Sequence, residues 1–218
     1  MKFPNSYLCV KKLFTAEIFN IISTLFLLAA SLYTLIVSDE ISSASKFGDT
    51  YFIIFTSLAV LYALFSVIGF ILQLVGLNRG RKEDKMFRDA MAFVFVCMIT
   101  AVLLIFVRGT FGDIVSTIDM FATLFVHVYI IMGIYSVSYQ LGYKPAETRG
   151  KLTFFIMIGI FAFAIITSIL PAFIPELEEP LSFASPVFEL LGHLVLITYI
   201  AMGTKLLGSQ EHGHFHSA

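Results

Sequence analysis

The stretch VSTIDMFATLFVHVYIIMGIYSVSYQL, residues 115 to 141, carries one charged side chain, Asp119, and one imidazole, His127, in an otherwise apolar and uncharged run. A helix rises about 1.5 Å per residue, so about 20 apolar residues cross a hydrocarbon core roughly 30 Å thick. This run is long enough to do so, and it sets the question of what an imidazole and a carboxylate do at such depth. Five further stretches have the same character, at about 13 to 37, 50 to 77, 88 to 108, 151 to 174 and 184 to 207. The fifth ends at Pro171 and Pro175 and the sixth begins near Pro186, positions where a missing N–H is best tolerated. The whole chain is 58% hydrophobic and 13% charged, with 24 Phe and no Trp, which excludes a soluble domain. The fold class is therefore all-α: one polytopic transmembrane domain over 1–218 with six membrane-spanning helices.

Charge distribution orients the spans. Lys2, Lys11, Lys12, Arg79, Arg81, Lys82, Lys85, Arg88, Lys144, Arg149, Lys151 and Lys205, twelve of the fourteen basic residues, fall on one side, and only Lys46 and Arg108 on the other. The positive-inside rule puts both termini in the cytoplasm. The loop from 171 to 183 then faces outward, with Glu176, Glu178 and Glu179 and no base. The N-terminus MKFPNSYLCVKKLF has no early apolar core with a small-residue cleavage site, so the first span is expected to be a retained helix. Cys9 and Cys97 suggest neither a disulfide framework nor a zinc ribbon.

An internal repeat is also legible. Gln73, Gln140 and Gln210 are the only glutamines, and each follows a tyrosine by eleven residues: Tyr62, Tyr129 and Tyr199. The odd spans open alike, with KLF at 12 to 14, KMF at 85 to 87 and KLT at 151 to 153. These matches suggest three tandem helical hairpins, about 12–78, 85–142 and 151–210, with a short disordered tail at 209–218. The small residues Gly69, Gly133, Gly159 and Gly203 would let helices approach closely, within one chain or between copies.

The segment LFTAEIFNIISTLFLLAASLYTLI, 13 to 36, with FILQLVGLNRGRKEDKMFRDA, 70 to 90, resembles a loose group of small six-span membrane proteins of Gram-positive bacteria. The resemblance covers mainly the first half of the chain. It implies a bacterial plasma membrane and carries no activity.

Polar residues inside the spans are the candidate site. Asp119 and Glu189 lie ten residues before Tyr129 and Tyr199, which places both near the outer interface. His193 follows Glu189 by one turn on the same face, and His127 lies about two turns below Asp119. Convergence of Asp119, His127, Glu189 and His193, with Arg108 and Asp113 in reach, would make a site for an ion, for protons, or for a metal of unspecified identity. The alternative is that the histidines only hydrogen-bond between helices and the acids sit at helix N-termini. In the first span Glu17 and Asn20 form an inner polar pair, and Lys11 or Lys12 is expected to reach Glu17 by snorkelling. The tail carries His212, His214 and His216 in alternation, a metal-binding pattern or a solvated end.

Arg79, Arg81, Lys82 and Lys85 make residues 78 to 89 the most basic segment, suited to anionic lipid headgroups, although positive-inside placement accounts for it equally. Expected partners are thus the lipid bilayer and a second copy or another membrane protein, with no nucleic-acid groove. Walker, GxSxG, HExxH and dinucleotide motifs are missing, so no cofactor and no catalytic residue is assigned. The expected function is a non-catalytic membrane component of accessory, immunity or scaffold type; the alternative is a small transporter or channel with a polar site at the outer mouth of the bundle, and a membrane-embedded metalloenzyme ranks last.

Overall fold

A computed structural model describes residues 2–41, 47–107, 109–170, 174, 176, 181 and 183–209. Among these the chain forms α1 (Pro4–Ile41), α2 (Phe47–Gly80), α3 (Lys85–Phe106), α4 (Gly109–Gln140), α5 (Lys144–Ile169) and α6 (Ala184–Ser209). Each of the six is long and apolar enough to cross a membrane. The all-α, six-span reading of the sequence therefore holds.

Local chemistry sets the ends of these helices. Pro4 opens α1, where its missing N–H costs nothing. Asp84 caps α3 by accepting from the Met86 N–H at 2.7 Å. Helix α4 closes on Gly142, whose φ of 74° is the left-handed conformation. The Gly142 N–H reaches the Tyr139 carbonyl at 2.9 Å and the Tyr143 N–H reaches Ser138 at 3.1 Å, which satisfies two carbonyls before α5 starts at Lys144.

Helix α1 is longer than its apolar run. It begins nine residues before the expected boundary at 13, because Lys11 and Lys12 are exposed residues within the helix and do not mark its start. Glu17 consequently lies about 20 Å along α1 from Pro4.

The helices divide into two compact units, and α1, α2, α5 and α6 each contribute to both. The first unit comprises Met1–Thr15, Leu72–Ile158 and Val195–Ala218. Cys9, Leu13, Phe87, Ile130, Ile134, Leu196 and Ile200 are wholly or almost wholly buried in it. A lipid tail is as apolar as leucine, so helices in a bilayer associate through close packing, not through escape from water. Gly133 supplies such a contact: a Cβ there would stand 2.7 Å from the Phe87 ring. Gly203 supplies another, against Ile134 at 2.8 Å. Phe93 stacks between Phe125 and Tyr129 and joins α3 to α4.

The second unit comprises Ala16–Ile71 and Gly159–Leu194. Phe65 of α2 stacks on Phe19 and Phe26 of α1, and Tyr51 stacks on Tyr33. The Ser23 hydroxyl donates to the Tyr62 carbonyl at 3.0 Å. Phe163 of α5 stacks on Phe188 of α6. Gly69 opposes Asn20, and Gly159 has nothing within 4 Å.

Tyr62, Tyr129 and Tyr199 occupy different surroundings. Tyr62 receives a hydrogen bond on its backbone, Tyr129 stacks on Phe93, and Tyr199 is buried with its hydroxyl donating to the Ala146 carbonyl at 3.4 Å. Gln210 and the histidines of the tail lie outside the described residues, as do Lys46 and Arg108.

A candidate buried acid–imidazole–acid chain

Helices α1 and α6 bring three titratable side chains together in the second unit. Glu17 is fully buried, and its Oε2 lies 2.7 Å from His193 Nδ1. The other imidazole nitrogen, Nε2, lies 3.8 Å from Glu189 Oε1, one turn earlier on α6. Thr24 of α1 donates its hydroxyl to the same Glu189 oxygen at 3.4 Å. Exposure falls along the series: the Glu189 side chain is 40% exposed, His193 8% and Glu17 1%.

Helical spacing explains the arrangement. Glu189 and His193 are four residues apart and so share a face of α6, and Glu17 and Thr24 are seven apart and share a face of α1. His193 is about 5 Å from the midpoint of α6 and Glu17 about 8 Å from that of α1, counting along each helix axis. His193 and Glu17 thus lie well inside their helices. A buried carboxylate is costly unless it is hydrogen-bonded, and the imidazole stands at hydrogen-bond distance from it.

These positions sort the expectations. Glu17 is held by His193, while Lys11 and Lys12 are exposed on the same helix. Asn20, three residues on, lies against Gly69, whose missing side chain makes room for its amide. Of the four residues grouped from the sequence, Glu189 and His193 form a pair in the second unit. Asp119 and His127 belong to the first unit. There Asp119 accepts a hydrogen bond from the Thr100 hydroxyl of α3, and His127 is buried near the middle of α4. Cys97 lies beside Thr123 in the same α3–α4 seam, with Sγ and Oγ1 3.7 Å apart.

Thr24 and Thr100, which hydrogen-bond Glu189 and Asp119, carry no sequence signal that would single them out; their hydroxyls look like any others in an apolar span. Glu17 and Glu189 address different nitrogens of one ring. The arrangement suits proton movement, since imidazole can accept at one nitrogen while it releases from the other.

No protein-family model matches the sequence, and no match was found among curated proteins or solved structures.

Proposed function

We propose that this multi-pass membrane protein conducts protons along Glu189, His193 and Glu17, which puts it in the transport class. The observation that carries the reading is the fully buried Glu17 carboxyl in contact with His193, at the end of a graded path that begins on half-exposed Glu189. Ionisable side chains in spans are costly, and chains of acids and histidines are how pumps and transporters pass protons. A proton arriving on Glu189 passes to His193 Nε2, and the ring releases a different proton, from Nδ1, to Glu17. The cycle closes when Glu17 gives its proton up on the cytoplasmic side and tautomer exchange resets the ring. The 3.8 Å step from Glu189 to His193 closes by torsional adjustment of the half-exposed acid. With both termini cytoplasmic, as the distribution of basic residues suggests, Glu189 is the outer entrance. A bacterial plasma membrane is the proposed location, on the resemblance of the first half of the chain.

The test is proton uptake into proteoliposomes that hold a pH-sensitive dye, driven by a potassium diffusion potential. The native chain should acidify the lumen, and Glu17→Gln should slow this by about tenfold or more. Liposomes with native protein that stay as tight as empty ones would overturn the proposal. They would favour a non-catalytic membrane component of accessory or scaffold type, in which the chain of polar residues locks α1 to α6. The close glycine contacts at Gly133 and Gly203 are what support that second reading.

A further inference from the structure

The turn between α2 and α3, Arg81 to Asp84, sorts its charges in opposite directions. Both of its acids are turned inward and occupied. Glu83 accepts from the Asn5 N–H at 2.9 Å and the Asn5 side-chain amide at 3.0 Å with one oxygen, and from the Ser6 N–H at 2.6 Å with the other. These are first-turn donors of α1, which have no partner inside their own helix. Asp84, largely buried, caps α3 through Met86 and receives the Ser136 hydroxyl of α4 at 2.6 Å.

The bases face the other way. Arg79, Arg81, Lys82 and Lys85 are all exposed, and none of them takes part in a salt bridge among the described residues. Arg88, one turn further on, is exposed and among the described residues pairs with Asp89 at 3.7 Å. Positive-inside placement explains bases in this loop; it does not explain why both adjacent acids are withdrawn from them.

We infer that the exposed bases of this turn, Arg79, Arg81, Lys82 and Lys85, hold the phosphate headgroup of an anionic phospholipid at the membrane surface where α2 ends and α3 begins. The occupant is a lipid and not a free phosphate because these residues end two apolar spans, so the headgroup depth is the depth of the patch.

The experiment compares the native chain with the Arg79→Gln, Arg81→Gln, Lys82→Gln, Lys85→Gln variant in nanodiscs of phosphatidylcholine containing a minor share of phosphatidylglycerol. Retained lipid is counted by native mass spectrometry after transfer to detergent. The native chain should retain phosphatidylglycerol over phosphatidylcholine by about tenfold, and the variant by less than about twofold. Retention by the native chain should fall as salt rises, because exposed charge pairs are screened. This arm needs no variant to fold. Equal retention of the two lipids, retention that ignores salt, or an unchanged preference in a folded variant would overturn the inference. So would displacement of the lipid by millimolar glycerol phosphate, which would mark the site as one for a soluble phosphate.

Discussion

Glu17 Oε2 and His193 Nδ1 lie 2.7 Å apart although 176 residues separate them, and the contact ties α1 to α6 through two ionisable groups that are both buried. Both side chains are almost fully buried, so each supplies the other with a polar contact. Breaking such a pair from one side leaves a polar group in an apolar phase, whereas replacing both sides with apolar groups does not.

A double-mutant cycle reads this dependence. Glu17→Leu and His193→Leu should each lower stability by about 3–5 kcal/mol. The double variant should cost less than the sum, with a coupling of about 1–3 kcal/mol in denaturant titrations of the detergent-solubilised protein. Additive losses would mean that the two side chains are stabilised by other neighbours.

The glycines of the spans should separate into two groups. Gly133→Ala drives a Cβ to 2.7 Å from the ring of Phe87, a side chain with no exposure and no room to retreat, and overpacking of this kind costs about 1–3 kcal/mol. Phe87→Leu in the same chain should recover part of that loss. Gly159→Ala meets nothing within 4 Å and should be neutral or stabilising by about 0.5–1 kcal/mol, since alanine is the better helix former. Equal melting temperatures for Gly133→Ala and Gly159→Ala would contradict the packing described here.

Residue pattern made the six spans legible, because an apolar run of some twenty residues depends on local composition alone. Ends were less so. Helix α1 continues through Lys11 and Lys12 to Pro4, and hydropathy stops registering it where charges begin. Within the candidate site, the Glu189–His193 spacing is helical and can be read directly, but the partner across the unit, Glu17, is a matter of tertiary contact that no periodicity encodes. Asp84 was recognisable in principle, as an aspartate immediately before a helical run. Glu83 was not, since the donors that it satisfies belong to a segment 77 or 78 residues away.

That distant cap makes its own prediction. Glu83→Ala removes three hydrogen bonds from Asn5 and Ser6 and leaves the first turn of α1 uncapped. Stability should fall by about 1–3 kcal/mol, more than for a neutral cap because the acceptor is a carboxylate. Hydrogen exchange should quicken at Asn5, Ser6 and Tyr7 while Glu17 and its neighbours keep their protection. Uniform quickening along α1 would instead indicate global loosening and would count against a local cap.

Asp119 and Glu189 each stand ten residues before a tyrosine but have different neighbours in the structure, so the same substitution should have different consequences. Glu189 faces His193 Nε2 and Thr24, at the entrance of the proposed path. Asp119 is held by the Thr100 hydroxyl in the α3–α4 seam. Glu189→Gln should slow proton uptake by about tenfold or more, because an amide cannot take up and release a proton at neutral pH. Asp119→Asn keeps an acceptor for Thr100 and should leave uptake within about twofold of the native rate, with stability changed by less than about 1 kcal/mol. Thr100→Val, which removes the donor and leaves the carboxylate without that bond, should be the costlier change in the seam, by about 1–3 kcal/mol. If Asp119→Asn abolished uptake as Glu189→Gln does, the proton path would have to run through the first unit as well, and a path confined to α1 and α6 would be wrong.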